Sequence, residues 1–156
     1  MHRLLSCLLA AMTLSGSAFA QNPQDTSKAA EEFRSDLQAV RSDVLAKNIS
    51  LTAAEAAKFW PLYEKYQAEQ SAIMDAQLKG VQAYAAAYGK MDDAAALAYL
   101  NALLTRDEAM AALRRKWLPE FQKVVPTTTA VRVIQIDRRL GQAFQLELSS
   151  QVPLIR

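Results

Sequence analysis

The stretch LTAAEAAKFWPLYEKY, Leu51 to Tyr66, decides the fold class. Thr52 reads as a helix N-cap, because its hydroxyl can accept a hydrogen bond from an orphan backbone N–H of the first turn. Glu55, three residues on, can reach back to the cap and complete a capping box. Leu51 precedes the cap and can staple onto the first turns. Beyond the cap come Phe59, Trp60, Leu62, Tyr63 and Tyr66, then Ile73, Met74, Leu78, Val81, Tyr84 and Tyr88. That recurrence has helical period. Pro61 lies inside the run and removes one backbone hydrogen bond, so a kink near Lys58 is expected. Gly89 is the expected stop.

The remaining chain repeats the pattern. Downstream, Asp92 caps a third helix and Asp93 sits in its first turn, where the macrodipole favours negative charge. Its apolar residues are Leu97, Leu100, Leu104, Met110, Leu113, Trp117, Phe121 and Val124, with Pro119 a second expected kink and Pro126 the end. The run Thr127 to Ile134 is rich in β-branched residues and would suit a strand. Val133, Ile136, Leu140, Phe144 and Leu148 nevertheless keep helical spacing, and a lone strand would have no partner. A helix from about Thr128 to Ser149, capped by Thr127, is the prediction, followed by an extended tail over residues 151–156. Upstream, Phe33, Leu37, Val40 and Val44 place a first helix between about Ser27 and Lys47. Asn48-Ile49-Ser50 is a turn. The expected architecture is all-α: four long, kinked helices in an elongated antiparallel hairpin, bundle or cradle, with a single helical domain over residues 27–150.

Composition narrows the function. The chain has 156 residues, with 18 basic and 16 acidic side chains, four glycines, one Cys and one His. The glycine count leaves no glycine-rich phosphate cradle, and one Cys supports no disulfide framework. The first twenty residues read as an export signal. A weakly positive start is followed by an apolar run too short to span a bilayer, then by Ala18-Phe19-Ala20, a small-x-small cleavage site. Residues 21–26 are polar and read as a disordered leader. Cleavage after Ala20 removes 20 residues, leaving 136 with 17 basic against 16 acidic side chains. It also removes His2 and Cys7. A chain without His or Cys has no Ser-His-Asp or Cys-His nucleophilic system, and no thiolate or imidazole metal site. The expectation is therefore a periplasmic, non-enzymatic protein with no cofactor and no catalytic or metal-binding residues. Export also makes nucleic acid an unsuitable partner.

Those residues resemble a family. The signal segment, the absence of Cys from the mature chain, the long helices and the opening Leu51-Thr52-Ala53-Ala54-Glu55 are similar to the periplasmic Spy/CpxP-like group, whose hallmark is a Leu-Thr-x-x-Gln motif at a helix start. Here Glu55 stands in place of Gln. The block Phe59-Trp60-Pro61-Leu62-Tyr63, followed by Tyr66, resembles uncharacterised exported relatives of that group, as do Lys116-Trp117 through Pro126 and the Pro153-Leu154 tail. The resemblance implies an α-helical, cradle-shaped homodimer that binds unfolding client proteins without ATP. CpxP-like members also restrain an envelope-stress sensor kinase, which gives the alternative expectation of a signalling accessory bound to a sensor protein. The histidine-based metal sensing of a related branch has no residues to carry it here.

Two sets of side chains are candidates for client or partner contact. Tyr63 and Tyr66, with Phe59 and Trp60, either form an amphipathic binding surface or pack against Trp117 and Phe121 in the core. The core reading is favoured, since both blocks lie beside a proline. Arg114, Arg115 and Lys116, with Arg132, Arg138 and Arg139, make the third and fourth helices locally positive. They either steer acidic or unfolded clients or form a solvated face. The acidic pairs Glu31-Glu32, Asp92-Asp93 and Asp107-Glu108 point in divergent directions and read as caps and surface.

Overall fold

The computed structural model describes residues 38–155. Among them are four α-helices and no strand, an all-α fold. The helices are α1, described over residues 38–48, α2 (Ala53–Ala87), α3 (Asp93–Gln122) and α4 (Thr127–Gln151). The signal segment, the leader and the early part of the first helix with Phe33 and Leu37 lie outside the described residues. The chain divides into two units, residues 1–40 and 41–156, and the second carries the hydrophobic core.

The start of α2 is the capping box. The Glu55 N–H donates to Thr52 Oγ1 at 3.3 Å, while the Thr52 N–H and hydroxyl both donate to Glu55 Oε2 at 2.8 Å. Leu51 is half-buried against the core, as a staple requires. Asp92 caps α3 in the same way, its Oδ1 accepting from the Ala95 N–H at 2.8 Å. Pro61 and Pro119 are exposed, and each helix continues through its proline.

Two boundaries differ from expectation. Gly89 is not a left-handed stop. It has an ordinary φ and sits inside a 3-10 turn, Tyr88–Lys90, that follows α2. Thr127 is not a cap but the first residue of α4. Pro126 holds the cap position, and its carbonyl accepts the first helical bond from Ala130 at 3.0 Å. Proline's fixed φ and missing N–H suit a helix start.

The contacts set the helix directions. Phe59 meets Phe121, Tyr66 meets Trp117 and Tyr84 meets Tyr99, so α3 runs back along α2 as its antiparallel neighbour. Tyr66 meets Asp137, Gln77 meets Gln145 and Tyr84 meets Pro153, so α4 runs parallel to α2. Ser42 reaches Gln67 and Arg41 reaches Met74, which makes α1 antiparallel to α2. The core lies where all four helices meet: Leu45 of α1, Phe59, Tyr63 and Tyr66 of α2, Met110, Leu113, Trp117 and Phe121 of α3, and Ala130 and Val133 of α4. Each large side chain there adds about 1.5–3 kcal/mol by leaving water. The tail is extended. The Tyr84 and Tyr88 hydroxyls donate to the Pro153 and Leu154 carbonyls at 2.6 and 3.1 Å.

The capping box carries a pH signature. Hydrogen bonds from the Thr52 backbone, then from its hydroxyl, hold the Glu55 carboxyl below its ordinary 4.5. A carboxyl whose pKa is lower folded than unfolded adds stability above the unfolded value, and that stability is lost as pH falls through the folded value. Glu55→Gln keeps the reach-back acceptor but does not titrate. Thermal unfolding from about pH 5 to about pH 3 should therefore fall less steeply for E55Q than for the parent. Identical slopes would contradict the capping role. Thr52→Ala should cost about 1 kcal/mol at neutral pH.

Candidate functional site

Buried polar residues mark the centre of the bundle. Asp137 of α4 is 1% exposed and accepts four hydrogen bonds. Its Oδ1 accepts from Arg41 Nη1 of α1 at 3.0 Å and from Gln70 Nε2 of α2 at 2.7 Å. Its Oδ2 accepts from the Tyr66 hydroxyl of α2 at 2.7 Å and from Arg114 Nε of α3 at 3.0 Å. Those four donors fill the acceptor capacity of one carboxylate. Arg41 also donates to Gln70 Oε1. One side chain thus ties its own helix to each of the other three. Gly141, one turn beyond Asp137, leaves room for Arg114; a Cβ there would stand 3.3 Å from the guanidinium. Burial, and then the Asp137 charge, push the Tyr63 and Tyr66 phenols well above their ordinary range. Both stay neutral at any working pH, and Tyr66 remains a donor to Asp137.

This cluster reassigns three candidate contact residues. Tyr63 and Tyr66 are 1% and 0% exposed, so their rings belong to the core and are not a surface for clients. They pack with Phe59, Phe121 and Trp117, the arrangement favoured from the sequence. Arg114 is mostly buried and spent on Asp137. Lys116 is exposed but bridges Glu69 at 2.7 Å and lies over the Trp117 ring at 5.7 Å. Trp60 is half-buried against the same core. The motif residues Leu51, Thr52, Glu55, Phe59, Trp60 and Tyr63 therefore serve the fold, and Pro61 faces solvent.

Of the six candidate cations, Arg115, Arg132, Arg138 and Arg139 are exposed with no ion pair among the described residues. Arg132 and Arg139 line one cleft of about 370 Å³, together with Asn48, Thr128, Gln135 and Ile136. Arg115 and Arg138 lie outside it. The basic set is therefore split.

The surface also carries an apolar feature, drawn from residues that the sequence reading grouped with the rest of the apolar set of α3. Leu97, Leu100 and Leu104 of α3 are 60%, 49% and 52% exposed. Their spacing is helical, and the core residues Met110, Leu113, Trp117 and Phe121 are helical too. The step from Leu104 to Met110, however, is six residues. At about 100° per residue this turns the second stripe about 130° from the first. The core-facing side of early α3 is instead Ala95, Ala96, Tyr99, Ala102 and Leu103, all half-buried. Counting phase along α3 would have found the switch. The buried cluster also had a signal, because Arg41, Gln70, Gln77 and Asp137 occupy positions where the apolar period continues.

No protein-family model, curated protein or solved structure matches the chain. Among the described residues, no helix is long and apolar enough to cross a membrane.

The two kinds of ion pair should respond differently to substitution. Asp137→Asn leaves two guanidinium groups without a counter-charge in a buried setting and should cost about 3–5 kcal/mol. Lys116→Ala breaks an exposed pair and should cost under about 1 kcal/mol. Urea unfolding of the two variants measures the contrast. Equal, small losses would mean that the buried cluster does not hold the helices together.

Proposed function

We propose that the protein is a periplasmic, ATP-independent, chaperone-like binder of unfolded or partly folded proteins. The observation that carries this reading is the leucine stripe of α3. Three large apolar side chains are held in water over two turns, turned away from a core that accommodates the rest of the same helix. Exposed apolar stripes of this kind mark binding surfaces. Three half-exposed leucines offer on the order of 300 Å², well under the roughly 800 Å² per partner of a stable interface. Such a contact is weak and fast to release, which suits reversible capture of extended apolar segments and does not suit a permanent dimer. The unpaired arginines of α3 and α4 add long-range attraction for acidic chains. Binding is the whole of the function in this reading, and no residue performs chemistry. The capping motif at Leu51–Glu55 and the aromatic block after it support membership of the Spy/CpxP-like group.

The test is light scattering from a reduced, unfolding client protein without ATP. The parent should suppress aggregation at near-stoichiometric amounts. The triple variant L97S/L100S/L104S should need several-fold more protein while unfolding at the same temperature as the parent. Undiminished suppression by that variant would overturn the proposal. So would failure of the parent at large excess, or one-to-one capture of a single folded envelope sensor protein in place of general suppression.

A further inference from the structure

The cleft between the end of α1 and the outer face of α4 is a second, chemically different surface. Arg132 and Arg139 are seven residues apart, two turns of one helix, so they point the same way within about 20° and stand about 10 Å apart along the axis. Both are exposed, and neither has a carboxylate partner among the described residues. Between them lie Gln135, a donor and acceptor, and half-buried Ile136, an apolar floor. Thr128 and Asn48 close one end. Asn48 donates its amide N–H to the Val44 carbonyl, which ends α1 and fixes that wall.

The local charge is one-sided. Between Thr127 and Leu146, α4 holds Arg132, Arg138 and Arg139, and its single acid is the buried, fully bonded Asp137. The two guanidinium groups of the cleft therefore repel one another with nothing on their own helix to offset it. Two guanidinium groups whose Cα atoms stand about 10 Å apart along one helix face match a ligand with two carboxylates at a similar separation. An extended chain in the polyproline II conformation advances about 3.1 Å per residue and completes a turn every three residues. Carboxylates three residues apart in such a chain stand about 9 Å apart on the same side, so both can face the helix.

We infer that this cleft binds an extended acidic peptide segment bearing two carboxylates three residues apart, Glu/Asp-x-x-Glu/Asp. Arg132 and Arg139 each take one carboxylate, and the backbone between them runs over Ile136 within reach of Gln135. The inference deepens the proposed client-binding role and rests on it for its biological meaning, since it names the client segment this surface would select. The binding itself stands apart from the leucine stripe.

The experiment is fluorescence anisotropy of labelled Gly/Ser peptides with the full protein at low ionic strength. One peptide carries Glu-x-x-Glu, one carries adjacent glutamates, and one carries Gln-x-x-Gln. Glu-x-x-Glu should bind several-fold more tightly than adjacent glutamates, and Gln-x-x-Gln should not bind. R132A/R139A should weaken Glu-x-x-Glu binding at least about tenfold. K58A/K65A removes the same charge from exposed lysines of α2 and should leave it unchanged. Neither arginine makes a hydrogen bond among the described residues, so the melting temperature of R132A/R139A should match the parent's. Equal affinity for both glutamate spacings, or equal losses in both double variants, would reduce the cleft to diffuse charge and overturn the inference. Inorganic phosphate displacing the peptide at equal concentration would show a free-anion site and overturn it too. L97S/L100S/L104S separates the two ideas. If it loses aggregation suppression but keeps peptide binding, both stand. If the parent suppresses nothing yet binds Glu-x-x-Glu through Arg132 and Arg139, the chaperone reading fails and the cleft survives.

Discussion

One buried carboxylate, Asp137, organises the described part of this protein. An ion taken from water into a helical core costs several kcal/mol unless every acceptor site is filled. Asp137 meets that condition with donors from three separate helices. None of those donors is near it in sequence; Arg114, the nearest, is 23 residues away. The condition therefore constrains tertiary structure. If α1, α2 or α3 shifted by a turn, one lone pair would go unfilled and a guanidinium, hydroxyl or amide would lose its partner. Apolar side chains tolerate sliding much better, because a leucine finds some neighbour in most registers. The polar cluster thus supplies the register that an alanine-rich set of helices lacks.

The same logic explains the glutamines along α2. Gln67, Gln70 and Gln77 are buried. Gln77 and Gln145 exchange reciprocal amide bonds at 2.7 and 3.0 Å, and Gln70 serves Asp137. Amides placed along the α2–α4 seam fix which residue of one helix faces which residue of the other. The aromatic cluster beside them contributes most of the burial, while the polar contacts decide alignment. At the far end of the bundle the seam is completed by tyrosine hydroxyls on the tail carbonyls, so polar contacts tie α4 and the tail to α2 from Asp137 onward.

With the helices registered, the surface follows. α3 cannot turn to bury both of its apolar stripes, because they lie on different sides and the Arg114–Asp137 bond sets the helix rotation. The half with Trp117 and Phe121 faces the core, and Leu97, Leu100 and Leu104 are left in water. Arg114 and Asp137 likewise satisfy each other, while Arg132 and Arg139 on the opposite side of α4 meet no acid among the described residues. In this way the buried ion pair selects which apolar and which basic side chains remain for other molecules.

Much of the fold was legible in local sequence. Helix starts depend on side chains within three residues, so Thr52, Glu55 and Asp92 announced themselves, and the proximity of the aromatic blocks followed from one antiparallel turn. The all-α class followed from apolar spacing alone. Sequence periodicity could not decide which of two apolar stripes on α3 would be buried, because each is a valid helical face and only a neighbouring helix distinguishes them. Nor could it sort the arginines. Arg114 and Arg115 are adjacent and chemically identical, yet one closes a buried carboxylate and the other faces water. That difference is set by an aspartate on another helix, and only the tertiary structure brings the two together.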